Sequence, residues 1–289
     1  MSDLKIGLAQ LECWDGRPEK NLDKITQVIR ETDPTPDVMV FPESYVTGFP
    51  SPSTMRALAE PLDGQVVQQL TAISAKYQAT LVVGVAELAG GSIYNTSVMI
   101  GPQGLLLAYR KTHLWVGEDK RVSAGNFYVA RDWKDTRVGL LICYDVEFPE
   151  TARAVASMGS EIIFLTNGNM DPYGPVHRRA ITARAQENQV YVAMANRVGF
   201  QGTTRYVGES CVADPYGNVV AELGSDDEGV LVVSVDLSRG AESRSRYDYL
   251  KERRMTLNIS KMSSNGPLYR LDLSPNENVS MANQENRGE

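Results

Sequence analysis

The stretch 139-GLLICYDVEFPE-150 decides how this chain is read. An apolar run ends on a cysteine, three acids follow, and Pro149 stands where a helix would begin. A continuous apolar run bounded by turn signals reads as a buried strand. Proline suits the first turn of a helix, because its missing N–H has no helical partner there. The segment is therefore a strand, a sharp turn and a helix, with Cys143 at the turn. Packing as a small hydrophobe is the common fate of a strand cysteine. In an α/β sheet, however, the carboxyl ends of strands line the site crevice. The rest of the chain has to choose between filler and nucleophile.

Outward from that stretch, strand-like runs recur: 4-LKIGLAQLE-12, 37-DVMVFPE-43, 80-TLVVGVAEL-88, 97-SVMIG-101, 104-GLLLAYRK-111, 161-EIIFLTN-167 and 190-VYVAMANRV-198. They are short, apolar and rich in β-branched residues. The pairs 97–101 with 104–111 and 210–215 with 218–223 are separated by Gly, Pro, Asp and Asn, which predicts hairpins; 229-GVLVVSVDL-237 follows as a further strand. Between strands, Leu22, Ile25, Val28 and Ile29 share one helical face, as do Val66, Val67, Leu70, Ile73 and Tyr77. Further helices are expected over 151–159 and 175–188. This alternation predicts an α/β protein with helices outside a largely buried sheet or pair of sheets. One domain spans 1–262. Residues 263–289 turn polar and read as a tail, either disordered or packed on a partner subunit.

Composition narrows the chemistry. The chain has 289 residues, 42% of them hydrophobic, enough for a substantial core. Its net charge of -7 disfavours nucleic acid as a partner. No apolar run is long enough to cross a membrane and the N-terminus lacks the pattern of a signal peptide, so a cytoplasmic protein is expected. Cys13, Cys143 and Cys211 are odd in number and far apart, which argues against a disulfide framework. With two histidines, His113 and His177, and no paired cysteines, no metal site is expected. No glycine-rich phosphate loop is present, and no cofactor is called for.

A thiol at a strand end needs a base, since the thiolate is the nucleophile. Glu43 ends the run 37–43, and Lys111 ends 104–111. Glu118 and Asp119 lie in 114-LWVGEDKR-121, ordinarily a charged loop. Singly, each would be solvated or snorkelling. Together they finish strands on what should be one rim.

The strings 41-FPES-44, 110-RKTHLWVGE-118 and 142-ICYDVEFPE-150 resemble, in order and separation, the glutamate, lysine and cysteine motifs of the nitrilase superfamily of carbon–nitrogen hydrolases. The opening 5-KIGLAQLE-12 with 20-KNLDKI-25, and 180-AITARAQENQVYVAMANRVG-199, are similar to the same family, so the likeness covers about residues 4–240. The resemblance implies a four-layer αββα sandwich with Glu43, Lys111 and Cys143 as a triad and Glu118 as a fourth polar member. It implies Glu43 as general base and acid, and Lys111 with the Tyr144 backbone N–H around an oxyanion. Asp145, Glu147 and Glu150 read as structural acids near a helix start. Asn167, at another strand end, and the aromatic residues Tyr45, Trp115 and Tyr173 are expected to line the pocket.

The sequence Cys143-Tyr144-Asp145 is similar to the amidase side of the family, where true nitrilases tend to carry Cys-Trp-Glu. The expected reaction is hydrolysis of a small aliphatic or amino-acid amide to acid and ammonia through a thioester. The alternatives are an N-carbamoyl amidohydrolase, an ω-amidase, and a catalytically idle binding module. An N-carbamoyl hydrolase would use an arginine to hold a carboxylate, and Arg178 and Arg179 are the candidates. The family commonly pairs subunits, so a homodimer or larger homo-oligomer is expected.

Overall fold

The computed structural model describes residues 3–254, 257–263 and 267–273. The first half supplies β1 (Leu4–Gln10), α1 (Pro18–Glu31), β2 (Val38–Val40), α2 (Pro52–Leu58), α3 (Gln65–Tyr77), β3 (Thr80–Ala89), β4 (Ser92–Gly101) and β5 (Gly104–Arg110). The middle supplies β6 (Phe127–Trp133), β7 (Thr136–Ile142), α4 (Pro149–Ser157), β8 (Ile162–Asn167), α5 (Gly174–Asn188) and β9 (Tyr191–Asn196). Then come β10 (Val198–Gln201), β11 (Thr204–Val207), β12 (Cys211–Ala213), β13 (Val219–Glu222) and β14 (Gly229–Val235). The last elements are α6 (Ser238–Ser243), α7 (Tyr249–Glu252), β15 (Ser260–Ser263) and β16 (Pro267–Asp272).

Two sheets form the middle of the molecule. One has the order β14-β1-β2-β3-β4-β5, the other β13-β12-β9-β8-β7-β6-β16-β15; β10 and β11 make a separate hairpin. The centres are parallel, with β1, β2 and β3 in one sheet and β7, β8 and β9 in the other. Side chains alternate across each strand. In the first sheet Ile6, Leu8, Val38, Val40, Val82 and Met99 join the cluster shared with the second sheet. Their neighbours Ala9, Met39, Leu81, Val83, Val98 and Ile100 turn outward to Leu22, Ile25, Ile29 and Leu70 of α1 and α3. Ala152 and Val155 of α4 and Ile181 and Ala185 of α5 pack with the second sheet. Helix, sheet, sheet, helix gives the four-layer αββα sandwich. No helix among the described residues is long and apolar enough to cross a membrane.

The chain end departs from expectation. β16 pairs antiparallel with β6, from Leu268 opposite Arg131 to Asp272 opposite Phe127, and β15 pairs with β16. The boundary at 262 therefore cuts a hairpin of the sandwich, and 267–273 belongs to this chain's own sheet. Three leucines at uneven spacing, Leu268, Leu271 and Leu273, carry too little periodicity to announce a strand; pairing with the β6 edge supplies the hydrogen bonds. Residues 274–289 lie outside the described residues.

Candidate active site

Four strand ends meet on one rim. Glu43 follows β2, Lys111 follows β5, Cys143 follows β7 and Gly168 follows β8. The Glu43 N–H donates to the Asn167 carbonyl across the sheets at 3.1 Å. Both Ser44 and Cys143 adopt positive φ, 48° and 44°. For a residue with a Cβ this backbone costs roughly 1–2 kcal/mol, and such strain gathers at functional sites. At Cys143 it turns the chain from strand into the short 3-10 helix Cys143–Glu147. The loop beyond Glu43 crosses β3 where Gly84 has no side chain. A Cβ there would lie 2.0 Å from the Ser44 nitrogen.

Polar contacts lock the cluster. Lys111 Nζ donates to Glu43 Oε1 at 2.8 Å and to Glu118 Oε2 at 2.7 Å, with the lysine only 2% exposed. The Asn95 side-chain amide donates to Glu43 Oε1 at 2.8 Å and to Glu118 Oε1 at 2.9 Å. Ser44 Oγ donates to the Asn95 carbonyl oxygen at 3.1 Å, fixing which way that amide faces. The Trp115 N–H donates to Glu118 Oε2 at 2.9 Å. Cys143, Glu43 and Gly168 line one cavity, and both the Glu43 carboxylate and the Gly168 backbone N–H act on the thiol's protonation.

The electrostatics follow from burial. Burial first, and then the Glu43 carboxylate, push the thiol well above its ordinary range, against Lys111 and the Gly168 N–H. Burial also raises Glu43, with Lys111 opposing. Burial works against the charge on Lys111, but Glu43, Cys143 and Glu118 together outweigh it and hold the ammonium firmly. The resting site is thus a neutral thiol beside a carboxylate of raised basicity and a fixed cation. Such a thiol reacts when a base removes its proton during attack.

These groups line a cavity of about 200 Å³ together with Phe49, Trp115, Tyr144, Glu147, Tyr173, His177 and Tyr206. Trp115 packs edge-on to Tyr144 and Tyr173 at centroid distances of 4.9 and 5.1 Å. Two expected wall residues stand elsewhere. Tyr45 is fully buried in the cluster beneath α1 and α3, and its hydroxyl donates to the Glu12 carbonyl at 3.1 Å. The positive φ at Ser44 swings it away from the rim and lets Phe49 arrive instead. Asn167 is also buried, behind the wall, where its Oδ1 meets His177 Nδ1 at 3.1 Å. Its neighbours Gly168 and Asn169 face the cavity. Arg178 pairs with Glu222 on the surface at 2.7 Å, and neither it nor Arg179 lines the cavity.

The structural readings place as follows. Asp145 is buried and accepts from Tyr109 Oη at 2.8 Å, the His113 N–H at 2.9 Å and the Ile142 N–H at 3.2 Å. It ties the turn carrying Cys143 to the segment carrying Lys111. His113 stacks on Phe148 at 3.9 Å. Burial pushes the Cys13 and Cys211 thiols up to about 12. Sequence reasoning missed Asn95, His177, Phe49 and Tyr206. Only Asn95 left a signal, a buried amide in the middle of a β-rich run. The rest reach the cavity through long-range packing.

Comparison with known proteins gives the same picture. A family model described as carbon–nitrogen hydrolase matches residues 5–245. An (R)-stereoselective amidase of a Pseudomonas species is 46% identical over 88% of this chain and 93% of its own. A Xanthomonas campestris CN-hydrolase superfamily protein, crystallised with an arsenic adduct in its active site, superposes with a TM-score of 0.82 at 25% identity. That match covers 89% of this chain and all of the other, 100%. A mutant of the amidase from Nesterenkonia sp. AN1 superposes with a TM-score of 0.78 at 27% identity, covering 88% of this chain and 94% of its own. In that structure the acetamide moiety of fluoroacetamide is joined to the active-site cysteine.

Proposed function

The chain belongs to the carbon–nitrogen hydrolase family, and on that premise we propose that it is a cysteine-dependent amidase acting on small aliphatic or amino-acid amides. The observation that carries this reading is the convergence of Cys143, Glu43 and Lys111 on one cavity, with Lys111 Nζ 2.8 Å from Glu43 Oε1.

Glu43 takes the thiol proton as the sulfur attacks the amide carbon, forming the C–S bond. Oxyanion stabilisation falls to Lys111 Nζ and the Tyr144 backbone N–H, a pair of donors of the kind whose single removal costs roughly 100- to 1000-fold in rate. Protonated Glu43 then gives its proton to the amide nitrogen, the C–N bond breaks, and ammonia leaves a thioester on Cys143. Water, deprotonated by Glu43, attacks the thioester. The acid departs and the thiol recovers its proton from Glu43. Glu118 and Asn95 position Lys111 and Glu43 rather than meet the substrate. Amide hydrolysis is favoured over N-carbamoyl hydrolysis because Arg178 is spent on Glu222 outside the cavity. Three free cysteines suit a reducing cytoplasm. Pairing of copies is part of the same proposal, by resemblance to the family.

The test is ammonia release from a panel of primary amides running from propionamide to both enantiomers of 2-amino amides. Turnover of at least one member, with an acyl adduct on Cys143 in quenched samples by mass spectrometry, is expected. Intact protein that releases no ammonia from any of them would support an idle binding module instead.

Gly84 supplies an indirect check on the base. Gly84→Ala forces the Ser44 backbone away from β3, since the new carbon would lie 2.8 Å from the Glu43 carbonyl carbon. A displacement of this size near reacting groups costs on the order of 100-fold in rate. A Gly84→Ala protein with unchanged kcat would show that the Glu43 position is not critical.

A further inference from the structure

We infer that the cavity takes amides whose acyl group carries an ammonium, and that Glu147 is the carboxylate that binds it. The inference rests on the amidase reading and names the substrate class of that site.

Glu147 closes the 3-10 turn that begins at Cys143, so carboxylate and thiol face one cavity from one rigid element. The mechanism leaves it unused: Glu43, Glu118, Lys111 and Asn95 satisfy one another without it. Its Oε1 accepts from His177 Nε2 at 3.1 Å, and its side chain is a quarter exposed, at 25%. Among the described residues, Oε2 has no protein partner. A carboxylate only accepts, so His177 presents Nε2–H to it, while its Nδ1 meets the Asn167 side-chain amide at 3.1 Å. That contact orients the acid without consuming its second oxygen. Arg184 of α5 fixes the backbone beneath, donating to the Val146 and Glu147 carbonyls at 3.0 and 3.1 Å.

The surrounding charge and shape select the same ligand. Lys111, the buried cation, is committed to Glu43 and Glu118. Arg121 lines the cavity from its exposed rim, where water screens it. On the turn that carries the thiol, the uncommitted charge is the Glu147 carboxylate. The aromatic rings of Trp115, Tyr144 and Tyr173 complete that wall, and ring faces attract cations. An ammonium on the acyl chain gains both contacts, whereas an acyl carboxylate would meet repulsion.

The experiment compares kcat/KM at neutral pH for β-alaninamide, a cation, and butyramide, its neutral isostere, with succinamate as the anionic member. The expected ratio of β-alaninamide to butyramide is roughly ten- to 100-fold, the range of a charged hydrogen bond, and expressed mainly in KM. In Glu147→Gln the ratio falls towards one. A purely structural role for Glu147 would lower both substrates alike and leave the ratio untouched, which overturns the inference. So does a wild-type ratio of one or less, or a preference for succinamate. Turnover of butyramide with a ratio of one sinks the inference alone and spares the amidase reading. Should none of the three release ammonia, calorimetric binding of β-alaninamide decides. It should weaken about tenfold between Cys143→Ala and the Cys143→Ala, Glu147→Gln double variant, and equal affinities overturn the inference.

Discussion

Cys143→Ala is expected to lower the rate of ammonia release by roughly 10⁴-fold or more, since removal of a covalent nucleophile leaves only binding and oxyanion stabilisation. The fold should survive. Burial and Glu43 keep the thiol neutral, so the substitution removes a small apolar group and no charge, and costs about 1–2 kcal/mol. Lys111, Glu43, Glu118 and Asn95 retain their mutual bonds. Cys143→Gly extends the test. At φ 44° glycine escapes the penalty that any residue with a Cβ incurs, so this variant should melt no lower than Cys143→Ala despite the lost volume. Activity near that of the parent in either variant would rule out a thioester route. A Cys143→Gly protein much less stable than Cys143→Ala would show that the turn is not strained.

Glu43→Gln should lower the rate by about 10²- to 10⁴-fold, the usual worth of a positioned acid and base. Glutamine keeps the size of the side chain and can still accept from Lys111, so unfolding is not the expected cause. The pH profile separates this loss from a structural one. Burial raises the Glu43 carboxyl above its ordinary range, with Lys111 opposing. A raised acid stays protonated to higher pH, and a protonated carboxyl cannot take the thiol proton. The acid limb of kcat/KM in the parent should therefore lie above the ordinary glutamate range. Activity should rise with pH through that limb, and Glu43→Gln should lose it. Because Glu43, Lys111 and Cys143 interact closely, the limb belongs to the cluster rather than to one residue. An acid limb unchanged in the variant would remove Glu43 from the role of base.

Glu43, Lys111 and Cys143 were legible because each interrupts a burial pattern at its end. An apolar run with period two or none identifies a buried strand from local composition, and the polar residue that ends it marks the rim. The same logic misplaced Tyr45 and Asn167. Both sit within two residues of a true rim position, and a single turn of the backbone decides which neighbour faces the cavity. At Ser44 that turn is a positive φ, which no residue type other than glycine announces. Strand β4 was recognised only in its second half. Its first half carries Asn95 and Thr96, polar residues whose partners, Glu43, Glu118 and Glu87, come from other strands and loops.

The sequence alone determined the elements, their order and the residues that end them, because burial periodicity, turn chemistry and capping act within a few residues. Only the tertiary structure decided which of those ends meet. Strand order and the stacking of two sheets depend on apolar faces far apart in the chain finding one another. That long-range burial brings Phe49 and His177 to the cavity, commits Lys111 to two acids, and turns a cysteine that could have been filler into a thiol with its base beside it.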